Sequence, residues 1–167
     1  MKKRHIALVG LLAWSLPSLA QENQVTILSV NDMHATIDQF PKLAAIADSL
    51  RALYPSLLIL SAGDNCTGNP YSDRYKEPSY PMTALMNAVG FHASAMGNHE
   101  FDLKLEGFRR QASRSTFRYL CANLIAPDSL PMPVLPYQIF DCEGVRVGVL
   151  GVVQRGAQGT PDTHPDN

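Results

Sequence analysis

The sequence predicts an α/β fold in which helices cover a sheet. Short apolar runs of strand character alternate with segments of helical periodicity along most of the chain. Three polar loops, after Val30, Ser61 and Met96, each follow such a run directly. Ligands of open α/β sheets bind at the carboxyl ends of strands, so these loops are expected to face one crevice.

Each element has a local reason. Residues 25–30 (VTILSV) are β-branched and apolar and read as a buried strand. Residues 40–55 read as a helix: Pro41 suits a first turn, Leu43, Ile46, Ala47, Leu50 and Leu53 recur at helical spacing, and Pro55 stops it. Residues 57–61 (LLILS) form a second strand, followed by a Gly- and Asn-rich polar loop that runs on to Tyr80. Pro81 opens the next helix and Gly90 supplies its stop. Residues 92–96 form a short strand, and 103–115 a partly broken helix. A strand over 117–124, a Pro-rich link over 126–136 and a hairpin turning at Glu143-Gly144 complete the series.

The N-terminus reads separately. Lys2, Lys3 and Arg4 precede an apolar run over 6–16, Pro17 breaks it, and Ser18 and Ala20 are small residues at a cleavage site. This is the layout of a secretory signal peptide over 1–20. The alternative, a membrane anchor, would need about 20 apolar residues, so no stable membrane span is expected. Export places the chain outside the cytoplasm, in a bacterial periplasm or at the cell surface. There Cys121 and Cys142 are a candidate disulfide pair, although each of Cys66, Cys121 and Cys142 also reads as a small buried apolar residue.

The 167 residues suffice for one domain with a real core. A net charge of −1, with 14 Lys and Arg against 15 Asp and Glu, excludes a nucleic-acid polymer as partner, because phosphates along a strand would go unneutralised.

The three loops carry the chemistry. The first holds Asp32 and His34, two apart, so in an extended segment both side chains reach one side. Gly63 precedes Asp64 in the second, and the third holds Asn98, His99 and, three residues on, Asp102. Oxygen and imidazole donors without thiolates suit Mn, Zn or Fe. Singly, each piece is more often a surface turn. Glu100 reads as a surface or helix-start residue, and His92 as a structural histidine.

In this order and spacing, D-x-H, G-D and G-N-H-E resemble the calcineurin-like metallophosphoesterases, and within them the 5′-nucleotidase branch. The segments that carry the resemblance are ILSVNDMHA, LLILSAGDNCTGNP, MNAVGFHASAMGNHEFD, LCANL and YQIFDCEGVRVGVLGVV. The resemblance implies a layered α/β sandwich and two divalent metal ions. Asp32 and His34 would bind the first metal, Asp64 would bridge both, and Asn98 would bind the second. His99 would face the substrate phosphate as acid or charge stabiliser, and Asp102 would orient it and raise its pKa. Two such cations polarise a phosphoryl oxygen and ease ionisation of a water. The implied substrate is a small phosphate ester, a nucleotide among them.

The family's further G-H and G-H-x-H motifs do not occur here; the histidines left over are His5, His92 and His164. Residues 21–167 therefore read as the N-terminal part of the sandwich, incomplete by itself. The alternative function is that of a non-catalytic fragment that binds metal or phosphate or needs a C-terminal half.

Overall fold

The computed structural model describes residues 23–125 and 131–156. The expected leader over 1–20, His5, His164 and part of the Pro-rich link lie outside the described residues. The elements run β1 (Ile27–Val30), α1 (Phe40–Leu53), β2 (Leu58–Ser61), α2 (Pro70–Asp73), α3 (Tyr80–Val89), β3 (Ala93–Ala95), α4 (Lys104–Arg114), β4 (Arg118–Leu120), β5 (Val134–Leu135), β6 (Tyr137–Cys142) and β7 (Val145–Leu150).

Strands β1 to β5 form one parallel sheet in sequence order. The register sets Leu28 beside Ile59, Leu60 beside Ala93, Ser94 beside Tyr119 and Tyr119 beside Val134. Right-handed crossovers between strands in simple sequential order put α1, α3 and α4 on the same face. Ala47 of α1, Met82 and Met86 of α3 and Phe108 of α4 join Ile59 and Tyr119 in the core against that face. Phe108 meets the Tyr119 ring edge-on at 5.1 Å. The helix ends follow their sequence signals: Tyr54 N–H closes α1 on the Leu50 carbonyl, and Gly90, at φ 84°, closes α3 on Met86.

Strands β6 and β7 pair as the expected antiparallel hairpin, with Glu143 (φ 53°) and Gly144 (φ 88°) at its tip. Left-handed values at both turn positions match the twist of the two strands. The Phe140 ring stands edge-on to His92 at 6.1 Å, and Asn123 clasps Val153 through both main-chain groups. Ile27, Ile139, Leu150 and Val152 remain exposed.

Four local expectations change. The polar loop after β2 contains a short helix, α2, with Pro70 in its first turn and the Asn69 side chain accepting from Tyr71 N–H. The Pro-rich link supplies a fifth strand, β5, whose two residues pair only through β4. Helix α4 is unbroken: Gly107 lies where a Cβ would collide with that of Leu103. The missing side chain thus serves close packing rather than a kink. All three cysteines are buried free thiols, so Cys121 and Cys142 are not bonded to each other.

Candidate metal centre

The carboxyl ends of β1, β2 and β3 lie side by side and release three loops that are stitched together. Asp32 N–H donates to the Gly63 carbonyl at 3.2 Å, His34 N–H to Asp64 at 3.0 Å and Ala35 N–H to Asn65 at 2.8 Å. This pairing holds an unusual backbone. Asp32 (φ 49°), His34 (φ 42°), Ala35 (φ 54°) and Asp64 (φ 53°) all occupy the left-handed region. Such a conformation costs a non-glycine residue about 1–2 kcal/mol and persists where the surroundings over-determine it. Asp32 and His34 therefore converge through left-handed turns, and the extended geometry expected from their spacing is corrected.

The outcome is a compact donor set. One ligand atom each from Asp32, His34 and Asp64 lies within 4.8 Å of the others. His34 Nε2 stands 3.8 Å from Asp32 Oδ1, while its Nδ1 bonds the Thr67 carbonyl at 3.1 Å. With Nδ1 protonated, that bond leaves Nε2 as the lone-pair nitrogen facing the carboxylates, the tautomer a metal ligand requires. Two carboxylates and an imidazole, with no thiolate, fit a divalent cation of the Mn, Zn or Fe type.

The third loop reaches the same place. His99 N–H donates to Asp64 Oδ1 at 2.8 Å, and the His99 ring meets the His34 ring edge-on at 4.8 Å. His99 Nδ1 is 2.9 Å from Asp102 Oδ2, an oxygen that also accepts from the Thr67 hydroxyl at 2.5 Å. The hydrogen bond to Asp102 pushes the His99 pKa up, against the opposing effect of partial burial. Asn98 opens the 3₁₀ turn Asn98–Phe101, half-buried and one residue ahead of His99. Asp32, His34, Asp64, His99 and Asp102 thus gather at one place, and Asn98 sits on the same turn.

Glu100 departs most from its sequence reading. It is 2 % exposed, not a surface residue. Its carboxylate accepts from Gly97 N–H at 2.6 Å, Asp64 N–H at 3.0 Å, Asn65 N–H at 3.0 Å and the Asn65 amide at 3.1 Å. Burial pushes its pKa up, and the Asn65, Asp64 and Gly97 N–H groups oppose that shift. Gly97 and Gly63 let the loops meet: a Cβ on Gly97 would strike Asp64 Oδ1, and one on Gly63 would lie 2.5 Å from Gly97 N. Position three of a helix start hinted at the Gly97 bond. No local pattern hinted at the other three, or at the Thr67 bridge between His34 and Asp102.

A carboxylate–imidazole cluster able to hold a cation, set on the strand ends of an α/β sheet, is the class of site the fold defines. The chain belongs to the calcineurin-like phosphoesterase family, whose model matches residues 25–151. A Yersinia enterocolitica protein named UshA is 39 % identical over 139 residues, which cover 77 % of this chain and 25 % of that protein. A Vibrio cholerae 5′-nucleotidase is 36 % identical over 140 residues, with the same coverage of 77 % and 25 %. The Haemophilus influenzae NAD nucleotidase structure superposes with a TM-score of 0.71 at 29 % identity, covering 78 % of this chain and 26 % of that one. The chain spans about a quarter of the length of these relatives. No helix among the described residues is long and apolar enough to cross a membrane.

Proposed function

We propose that this chain is the metal-binding N-terminal part of a secreted phosphoesterase that cleaves phosphate esters of nucleotides at a two-metal site. Residues 1–20 would direct its export to a periplasm or cell surface. The observation that carries the reading is the convergence of Asp32, His34 and Asp64 beside the His99–Asp102 pair.

In this reading Asp32 and His34 would hold one divalent cation, Asn98 a second through its neutral amide oxygen, and Asp64 would serve both. The cations supply Lewis acidity toward the phosphoryl group and an ionisable water. His99 presents Nε2 toward the ester while Asp102 holds Nδ1. An imidazole so held stays protonated further into the neutral range and can give its proton to the departing alcohol. Nucleotides are the favoured substrate class because relatives at 36 % and 29 % identity are named as a 5′-nucleotidase and an NAD nucleotidase.

A second reading, metal binding without turnover, is favoured by the exposed apolar side chains Ile27, Ile139, Leu150 and Val152. Leu150 and Val152 border one hollow together with Leu60 and Leu120, and contiguous apolar surface marks a site of further association. The test is Mn²⁺ binding and hydrolysis of AMP and a generic phosphomonoester by the purified chain. The proposal expects both, with His99→Ala lowering turnover by about 10²–10⁴-fold and leaving the cation bound. Binding without turnover selects the second reading, and absence of both sinks the two together.

A further inference from the structure

Glu100 has a role that the proposed chemistry leaves unused. A helix-start carboxylate needs one bond, to the N–H of its own turn, and Glu100 makes it with Gly97. Its other three donors belong to Asp64 and Asn65, across the crevice and 35 or 36 residues away. Both carboxylate oxygens are engaged: Oε1 takes the two Asn65 groups, and Oε2 takes the Asp64 and Gly97 N–H groups.

The arrangement is reciprocal. Glu100 accepts the backbone N–H of Asp64, and the Asp64 carboxylate accepts the backbone N–H of His99. Each turn lends a carboxylate to the other's main chain. Among the described residues no Lys or Arg forms an ion pair with Glu100, and N–H dipoles are the direct partners of its buried charge. Burying a carboxylate this way is expensive unless its hydrogen bonds are complete. A neutral packing residue would fill the space at less cost, but it could not fix two turns at one distance.

We infer that Glu100 is a positioning residue, which sets the spacing between Asp64 and the Asn98–His99 turn and thereby the affinity of the centre for its cation. The inference rests on the metal-dependent reading above. Glu100→Gln keeps the volume but turns an NH₂ toward main-chain N–H groups that need an acceptor. Glu100→Asp keeps the charge but is one methylene too short to serve both turns.

The experiment is Mn²⁺ titration of the full chain, followed by electron paramagnetic resonance well below the melting temperature, for wild type, both variants and the exposed control Glu106→Gln. Partners of this kind are worth about 10–100-fold in metal affinity, and a loss of that size is expected in both variants while circular dichroism stays native. Glu106→Gln should bind as wild type does. If Glu100→Gln does not fold, Glu100→Asp decides. A lowered melting temperature with Mn²⁺ affinity within twofold of wild type would overturn the inference, since Glu100 would then serve only stability. Unfolding of both variants would overturn it on the same ground. A wild-type chain that binds no Mn²⁺ removes the metal-dependent reading and this inference together, whereas equal binding by all four proteins removes this inference alone.

Discussion

The crossing of the β2 and β3 loops and the β6–β7 hairpin obey opposite rules. At the crossing, polar groups are buried and paired: Glu100, Asn65, Ser61 and Ser94 are all inside and hydrogen-bonded to one another or to main chain. On the hairpin side, apolar groups are outside, with Leu150 at 64 % and Val152 at 60 % exposure. Burial of a polar network yields little net stability, yet it fixes atoms to a narrow geometry. Apolar burial does the reverse, giving energy without direction. The helix-covered face therefore holds the fold together, and the crossing holds the site in shape.

Three measurements would break or sharpen this contrast. The largest effect is expected from Gly97→Ala, whose Cβ would strike Asp64 Oδ1. Overpacking of this kind costs about 1–3 kcal/mol, readable from urea unfolding, and should cost Mn²⁺ binding as well. A stable variant with intact binding would mean that the crossing tolerates slack.

A smaller effect concerns pH. His92 Nδ1 accepts from Ile59 N–H at 3.0 Å, so the folded protein wants the neutral ring. Burial lowers its pKa from the ordinary 6.5, and the Arg51 charge lowers it further. Below the unfolded pKa of 6.5 the unfolded chain binds more protons than the folded one, so stability falls as pH drops below 6.5, and above it His92 gives no pH dependence. Denaturation midpoints measured downward from neutral pH should show this acid-side loss, and His92→Gln should remove His92's share of it. A slope that survives the substitution unchanged would assign the loss to other groups.

The smallest effect is expected from Leu150→Lys on the hairpin. Exposed substitutions stay within about 0.5 kcal/mol, so the melting temperature should hardly move. Sedimentation should report no more self-association than in wild type. A large destabilisation would show that Leu150 is held by the fold after all.

Much of the helix-covered half was legible in the sequence, because its signals are local. Pro81 and Gly90 bracket α3 within a residue of its ends, and the apolar runs mark β1 and β2. The candidate donor set of Asp32, His34 and Asp64 was legible by residue type and order. Their geometry was not: Asp32, His34 and Asp64 take left-handed backbone that propensity disfavours, and pairing between loops imposes it. Glu100 was misplaced for the same reason, since three of its four partners are distant in sequence. β5 escaped notice because two residues after a proline carry no strand signal without β4 beside them.

The near contact of Gly63 with Gly97 has a consequence in time as well as in space. The crossing joins segments 34 residues apart, and it exists only once β2 and β3 lie side by side. Contacts of such separation form late, because the chain must first be brought round. The centre should therefore be among the last parts to assemble during folding. Cation binding, followed after a refolding jump, would then time the arrival of the native state rather than that of the early helices.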